Sequence, residues 1–537
     1  MKESVENMAS LNATQIITEK IFLGGEEIGD AILPKLVKRA PLSPTINDDD
    51  TVDENIYFTL HNDAGQCVYV SPALLESYNE YKKVIPPSWP SNRKPPLTWI
   101  VLPGGGGRIV PKEPVNRTKR TNLDHAYDVL RDIKFLALDK IPQDGRKTGW
   151  YARDILTSKY AFRGTSIKKA IRNFPKTIFA EGMFADCKKL VKFSPRKFVS
   201  CENANFMFKD CVKLEKFLTP ENSTAFKKLN SAIEMFSNCR ELRGYTGSGH
   251  YEIWLHTPAL TNAKKMFLNC KKVETLKDVN FKALVNMESM FDGCERFWGF
   301  FIDGGTSRKP SMPRVENGKY AFYECVSLEE MPYVGEMSKL KFGTGMFYNT
   351  SIGGNMDKAF VSLTEAANMF NKCDEMTSVG RTDNAQQFPN VENGKQMFAQ
   401  CSKLQSIKLN FPKLTSGENM FRYCTSLTTL TDVNLKNLNN GMAMFGGGCK
   451  LNMQSCLNLS TALKANTATW SERINGNLNG ITIGVEASLM NNAQVRAAFG
   501  LSDVAAPGSD PDLGQNEEQG RITNAVGNII LTRVSWN

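Results

Sequence analysis

Apolar residues recur in one phrase along most of the chain, and polar residues fill the positions between them. The phrase is Met/Ala-Phe-x-x-Cys-x-x-Leu, and its phenylalanines lie 22 to 31 residues apart. Two of its twelve copies, at Phe162 and Phe347, place Thr165 and Thr350 in the cysteine slot. The ten copies that keep the cysteine contain Phe184, Cys187, Phe208, Cys211, Phe236, Cys239, Phe267, Cys270, Phe291, Cys294, Phe322, Cys325, Phe370, Cys373, Phe398, Cys401, Phe421, Cys424, Phe445 and Cys449.

Each copy is too short to bury its own apolar side, so successive copies must stack on one another. Spacings of three and four between the apolar slots favour a short helical or 3-10 turn that leads into a strand. Strands of successive copies pair in parallel, about 4.8 Å apart. The pattern therefore predicts stacked coils with a parallel sheet, and the Phe and Cys slots form their core.

The phrase resembles the leucine-rich repeats of BspA-like bacterial surface proteins and of their relatives in mycoplasma and phage proteins. In that family it has the approximate form A-F-x-x-C-x-x-L-x-x-I, with F-x-x-T-S-I as a variant, and both forms occur here. The resemblance covers about residues 155–455. It implies an α+β, β-rich fold, a leucine-rich-repeat solenoid of about twelve coils with a parallel sheet. It also implies a binding scaffold rather than an enzyme.

Outside the repeats the composition changes, and three regions are predicted. Residues 1–119 form an N-terminal docking domain with a Pro/Gly-rich connector, since proline and glycine cluster before residue 119. Residues 120–455 form the solenoid region, which begins with a helix at Leu123–Phe135 that leads into the first coil. Residues 456–537 form a capping region, because the last coil of a solenoid exposes apolar surface.

Short elements are predicted in both flanking regions. Strand-like stretches lie at Ile56–Leu60 and Cys67–Val70 in the N-terminal region. In the capping region, Gly480–Val485 and Ile529–Trp536 have the composition of strands, and Asn491–Phe499 that of a short helix. This ending also resembles, more loosely than the repeats do, the tails of repeat proteins from gut phages.

Charge and hydropathy exclude several classes of protein. The net charge is +10, but the 66 basic and 56 acidic residues are interleaved through every repeat. A nucleic-acid reader concentrates its basic residues on one stripe, so no nucleic-acid partner is expected. No apolar run approaches the ~20 residues of a membrane span, so no membrane insertion is expected. The first residues lack the apolar core of a secretory signal peptide, which favours a protein that leaves the cell by another route.

Reactive side chains do not assemble into a recognisable catalytic motif. The repeat cysteines lack the C-x₂₋₄-C spacing of zinc sites, and threonine replaces cysteine in two coils. A column of buried thiols is therefore predicted, with no metal and no cofactor. No catalytic residue is assigned, because none of the four histidines lies beside a candidate nucleophile. Cys67, Cys201 and Cys456 lie outside the repeat slots and receive no role.

Two long coils carry the candidate partner-binding residues. Insertions in repeat proteins form loops that often lie on the binding face, and tryptophan and tyrosine are common anchors at interfaces. The alternative, that these aromatic side chains fold back over the core, stays open. The candidates are Tyr245, Tyr251, Trp254, Trp298, Phe300 and Phe301.

These observations favour a non-enzymatic structural or binding protein. The favoured role is a phage virion component, accessory or attachment, that docks by its N-terminal region. A bacterial surface adhesin is the alternative, with the cell surface or the cytoplasm as its location. The expected partners are other virion subunits, with a host-surface protein or glycan as a further candidate. The chain is expected to join a homo-oligomer or a larger assembly.

Overall fold

The computed structural model describes the repeats and the C-terminal region. It covers residues 155–537 except for gaps at 166, 218–224, 247–250, 278, 302–309, 334–336, 384–385, 472, 475–476 and 503–512, together with six short strands before residue 112. The chain forms two compact units, each described here by itself. The first contains residues 1–249 and 253–257, and the second contains residues 250–252 and 258–537.

The described strands of the N-terminal region form three antiparallel pairs. The second pair includes the predicted stretch at Cys67–Val70, and its other strand begins two residues later than predicted. The predicted helix at Leu123–Phe135 lies outside the described residues. The pairs are β1 (Phe22–Leu23) with β2 (Glu26–Glu27), β3 (Phe58–His61) with β4 (Cys67–Val70), and β5 (Leu97–Val101) with β6 (Gly107–Pro111).

The repeat phrase folds as consecutive tight turns rather than as a helix. The N–H of Cys187 donates to the carbonyl of Phe184 (3.3 Å), and that of Met183 donates to Ala180 (3.2 Å). Gly182 and Asp186, two positions before and after the phenylalanine, have φ of 56° and 59°. Left-handed residues at fixed positions interrupt a helix and are typical of type II turns. The predicted helical or 3-10 turn is therefore wrong.

Between these turn bonds, alternate N–H groups reach the next coil. The N–H of Phe184 donates to Met207 (2.8 Å), and that of Gly182 donates to Asn205 (2.7 Å). The N–H groups of residues 182–187 thus each find a carbonyl, either within the coil or one coil further on. The residue five positions before each phrase phenylalanine forms parallel β-bridges with the equivalent residue of adjacent coils in its unit. These residues are Thr157, Phe179, Asn203 and Ser231 in the first unit, and Asn262, Asn286, Asn317, Phe342, Glu365, Asn393, Ser416 and Asn440 in the second.

Strands follow the turns and pair in parallel, as predicted. Within the described residues a strand follows ten of the twelve phrases, but none follows those of Phe322 and Phe445, so complete coils number fewer than twelve. The first unit contains the sheet of β7 (Lys169–Asn173), β8 (Lys192–Lys197) and β9 (Lys216–Phe217), and the long coil contains β10 (Tyr245–Thr246) and β11 (Tyr251–Trp254). The second unit pairs β12 (Thr275–Lys277) with β13 (Gly299–Phe301), and joins β14 (Gly354–Met356), β15 (Met376–Val379), β16 (Ser406–Asn410) and β17 (Thr429–Asn434) in one sheet.

Phenylalanine rings stack in a column through the core of each unit. Phe184 lies 5.6 Å from Phe208 between ring centroids, with the planes 2° apart, and Phe398 lies 5.5 Å from Phe421 at 1°. Every phrase phenylalanine and cysteine is fully buried. Burying one such ring contributes about 1.5–3 kcal/mol, so the column accounts for much of the stability of each coil.

The chain ends in two helices and a small sheet. β20 and β22 have the bounds that the sequence predicts, and α2 lies within the predicted helical stretch. Within the described residues, no helix is long and apolar enough to cross a membrane. The elements are α1 (Met453–Lys464), β18 (Arg473–Ile474), β19 (Asn477–Leu478), β20 (Gly480–Val485), a 3-10 turn (Ala487–Leu489), α2 (Ala493–Ala498), β21 (Glu517–Thr523) and β22 (Ile529–Trp536), and the sheet order is β20-β22-β21.

Strand β20 takes the place of a further coil after the last phrase. The N–H of Phe445 donates to Thr482 (2.9 Å), and the N–H of Gly484 returns a bond to Phe445 (3.0 Å). Leu451 forms a second parallel bridge with Val485. The C-terminal sheet therefore covers the apolar end of the second unit and supplies its unpaired backbone groups with partners.

Candidate partner-binding face

The repeat cysteines are structural donors within the core. The thiol of Cys211 donates to the carbonyl of Phe184 one coil earlier, at 3.1 Å. Nine such bonds recur at 3.0–3.2 Å, formed by Cys187, Cys211, Cys239, Cys294, Cys325, Cys373, Cys401, Cys424 and Cys449.

Threonine can fill the same slot because its hydroxyl bonds to the same kind of acceptor. Thr350 donates to the carbonyl of Phe347 (3.0 Å) and contacts the sulfur of Cys373 (3.3 Å). The slot therefore requires a small side chain that carries a polar hydrogen. The sequence alone indicates only that this side chain is small and buried.

Burial suppresses the reactivity of these thiols. It raises the pKa of Cys373 and Cys449 from 9.0 to about 12, and those of Cys201 and Cys456 likewise to about 12. All cysteines whose side chains the structure describes are buried and outside disulfides. No group of three or more His, Cys, Asp or Glu residues suited to a metal ion occurs among the described residues.

Chemistry for binding lies instead on the turn face. We define this face as the exposed side chains from five positions before to two positions after each phrase phenylalanine. Among them are large aromatic rings that the repeat core does not use: Phe179, Tyr320, Phe342 and Tyr423. Single exposed rings are common on protein surfaces, so the rings that lie together in a group are the informative ones.

Three tyrosines of two consecutive coils form a tyrosine cluster on this face of the second unit. The rings of Tyr323 and Tyr348, both one position after a phrase phenylalanine, stack at 4.5 Å with an angle of 8°. Tyr320 meets Tyr323 edge to face at 5.8 Å and 74°. Tyr320 remains 39% exposed. The cluster thus joins a rigid stack to an open ring.

Tyr320 lies over the next coil because that coil has glycine at the equivalent position. A Cβ on Gly345 would lie 2.6 Å from Cδ1 of Tyr320. Both residues are left-handed, with φ of 56° and 58°. The same pairing of a left-handed tyrosine with a glycine one coil later places Tyr160 over Gly182 and Tyr423 over Gly447.

Two carboxylates border the tyrosine cluster. Asp292 is one position after its phrase phenylalanine, as Tyr323 is in the next coil, and Glu324 follows Tyr323. Burial raises the pKa of Asp292, and repulsion from Glu324 raises it further, against the effects of a Ser289 hydrogen bond and of Lys265. Burial also raises the pKa of the Tyr323 hydroxyl, as do Tyr348 and the two carboxylates.

Sequence reasoning missed this cluster because it placed the candidate partner-binding residues in the two long coils. The available signal was tyrosine directly after the phrase phenylalanine in two consecutive copies, at Tyr323 and Tyr348. Residues at one position of adjacent coils lie side by side, so this repetition predicts a stacked pair.

The predicted anchors of the long coils differ in their placement. Trp298 is 37% exposed, while Tyr251 and Trp254 are half-buried. Phe300 is 3% exposed and packs at 5.7 Å against Phe291, so its prediction as a surface anchor is wrong.

The physical reason lies in the register of the strands. Phe300 pairs with Leu276 of the preceding coil, and both occupy the apolar slot that follows the leucine position of the phrase by three residues. The side chains of Tyr245 and Phe301 lie outside the described residues. Trp254 belongs to the first unit and Trp298 to the second.

Two family models match the repeats. Residues 362–456 match a BspA type leucine-rich-repeat region in six copies. Residues 180–304 and 261–381 match a family described as a mycoplasma protein of unknown function, DUF285. No curated protein matches the chain.

Several solved structures are similar to parts of the chain. A leucine-rich repeat protein from Bacteroides ovatus ATCC 8483 has 16% identity and a TM-score of 0.33, over 59% of this chain and 84% of that one. One from Eubacterium ventriosum ATCC 27560 has 13% identity and a TM-score of 0.25, over 47% and 78%. The pneumococcal vaccine antigen PcpA has 15% identity and a TM-score of 0.23, over 56% and 77%.

Proposed function

We propose, because the repeats of this chain are leucine-rich repeats of the BspA-like family, that it is a non-enzymatic protein that binds a partner through the turn face. The observation that carries this proposal is the tyrosine cluster of Tyr320, Tyr323 and Tyr348. Its rings stand on a rigid backbone ladder and reach solvent, although the core is filled without them.

The composition of the turn face suits protein recognition. Tyrosine offers a large, rigid contact area at low cost in side-chain entropy, and Asn, Ser and Gly adapt their hydrogen bonds to a partner. Asn349, the residue after Tyr348, is of this type and is half-buried. A folded ladder that presents such side chains needs little ordering when a partner binds.

The finer proposal is a role in a phage particle, as an accessory or attachment protein that docks by its N-terminal region. Its support is the three-part organisation of the sequence and the likeness of the ending to gut-phage repeat proteins. The alternative is a bacterial surface adhesin, and its support is the family itself, which includes bacterial surface proteins.

Fractionation distinguishes the two locations. Mass spectrometry of purified particles and of envelope fractions should find the protein enriched in one of them, and enrichment in particles supports the virion role. Enrichment in the envelope supports the adhesin instead. A protein found only in the soluble cytoplasmic fraction would contradict both.

Photo-crosslinking in the enriched fraction tests the binding face itself. A photoreactive benzoylphenylalanine at Gln400, exposed on the turn face, should crosslink to the partner. The matched control places it at Thr431, exposed on strand β17, away from the turn face. Equal crosslinking from both positions, or crosslinking from Thr431 alone, would remove the turn face as the binding surface.

A further inference from the structure

Exposed rings of the turn face are accompanied by cations of the chain itself. Phe342 has the ammonium of Lys319 at 5.1 Å from its centroid, and Tyr348 has that of Lys372 at 5.5 Å. These distances lie within the range of a cation–π contact. The same pairing joins Lys159 to Phe179, Arg163 to Tyr160, Lys209 to Phe206 and Arg422 to Tyr423.

Tyr320 departs from this pattern. In the first coil, the residue three positions after Tyr160 is Arg163, whose guanidinium lies over the tyrosine ring. In the coil of Tyr320 that position holds Tyr323, which contributes a ring edge instead. Among the residues that the structure describes, no lysine or arginine lies over Tyr320. The Cδ1–Cε1 edge of its ring lies beside Gly345, and Tyr320 is 39% exposed to solvent.

In the described part of the chain, the carboxylates beside the tyrosine cluster also have no close counter-charge, since Lys265 lowers the pKa of Asp292 without forming an ion pair with it. Neither Asp292 nor Glu324 forms an ion pair within the part of the chain that the structure covers, although ion pairs between adjacent coils are frequent elsewhere, as between Lys395 and Glu418 (2.8 Å). Glu324 is exposed and Asp292 is half-buried. The mutual repulsion that raises the pKa of Asp292 would be relieved by a positive charge placed between the two groups.

We propose that Tyr320, Tyr323, Asp292 and Glu324 form a recognition site for an arginine side chain of a protein partner. A guanidinium stacks on the solvent-exposed part of the Tyr320 ring and donates paired hydrogen bonds to a carboxylate. Arginine suits this site better than lysine, because its planar fork both stacks on rings and matches a carboxylate. Lys372 lies at the far end of the cluster, over Tyr348, so the Tyr320 end is the one that accepts a further cation.

This inference rests on the turn face being the binding face, and it adds the chemistry of the partner. A neutral glycan or an acidic segment would stack on the ring but gain nothing from the two carboxylates. The net charge of +10 also means that the chain as a whole repels cationic peptides. Binding of an arginine peptide would therefore indicate a local site rather than attraction by the overall charge of the chain.

The test uses the full chain and fluorescein-labelled peptides that alternate glycine with arginine, lysine or the uncharged isostere citrulline. Fluorescence anisotropy at about 50 mM salt, where charge pairing is weakly screened, measures each affinity. The arginine peptide should bind more tightly than the lysine peptide, and the citrulline peptide should bind least. Tyr320→Ala should weaken arginine-peptide binding about threefold, and Tyr320→Phe should leave it unchanged. Asp292→Asn combined with Glu324→Gln should weaken it about tenfold.

Tyr423→Ala is the matched control. Tyr423 is likewise exposed over a glycine, but Arg422 already lies 4.8 Å from its ring centroid, so its loss should not change binding. Equal affinity for the arginine and citrulline peptides, or an equal effect of Tyr423→Ala and Tyr320→Ala, would overturn the inference. If Gln400 still crosslinks to the partner while the arginine peptide does not bind, the turn face is retained as the binding face and only the arginine site is excluded.

Discussion

The ring of Tyr320 occupies the space beside Gly345 in which any other residue would carry its Cβ. The calculated separation of 2.6 Å between that Cβ and Cδ1 of Tyr320 is too short for both atoms. The position of an exposed ring is thus fixed by a residue 25 positions later in the sequence. The two residues are neighbours because successive coils are aligned, so that equivalent positions lie side by side.

Gly345→Ala should destabilise the second unit by about 2 kcal/mol, from left-handed strain and displacement of the Tyr320 ring. The matched control is Gly354→Ala, with a φ of 71° and no atom near its Cβ, which should cost only the strain, about 1 kcal/mol. Denaturant unfolding measures both. Adding Tyr320→Ala to Gly345→Ala should reduce the cost to that of the control. A double variant no more stable than Gly345→Ala alone would refute the coupling.

Cys401→Val should destabilise the protein by about 1 kcal/mol more than Cys401→Thr, the reverse of the usual order for a buried apolar slot. Valine removes the thiol that donates to Phe370 (3.1 Å), whereas a threonine hydroxyl can bond within its own coil, as Thr350 does. Unfolding free energies from urea titration compare the two. Equal stability would mean that the thiol bond contributes nothing to the core.

Alkaline pH should destabilise the fold through the buried thiols. Burial raises the pKa of Cys373 and Cys449 from 9.0 to about 12, so the unfolded chain releases these protons at lower pH than the native one. The native state then binds more protons, and stability is complete below pH 9 and decreases as the pH rises towards 12. Urea midpoints at pH 8, 9.5 and 10.5 should decrease in that order. A midpoint that does not change with pH would contradict the raised values.

The C-terminal sheet should depend on one buried ion pair. Arg496 and Glu518 are almost fully buried and form two hydrogen bonds of 3.0 and 2.7 Å. Glu518→Gln leaves a buried guanidinium without its counter-charge and should cost about 3–5 kcal/mol. Hydrogen exchange in β20 should accelerate, because this sheet covers the last coil. The control Glu517→Gln removes the more exposed pair with Arg533 and should cost less than about 1 kcal/mol. Similar effects of both variants would argue against this role of the buried pair.

The sequence predicted the core and the stacking, because the same slots recur in every coil and must be buried together. It could not predict the turn conformation, since the left-handed positions hold residues as different as Asp186, Phe206 and Tyr320 and therefore show no glycine pattern. It misplaced Phe300 because the Trp298–Phe301 run resembles an insertion, although Phe300 fills a regular apolar slot. Contacts between equivalent residues of adjacent coils, such as Tyr320 over Gly345, depend on register and have no local signature.

Pairing between equivalent positions also limits how such a chain can change by gain or loss of repeats. A coil can be duplicated or deleted without altering the phenylalanine column, since each copy presents the same slots. In the described coils with a tyrosine at a left-handed position, however, the equivalent residue of the next coil is a glycine that the ring overlies. Deletion of the coil of Phe347 would bring Asn368, with its Cβ, to the place of Gly345 beneath the ring of Tyr320. We therefore expect recombination between repeats to be less destabilising at boundaries that keep these two coils together.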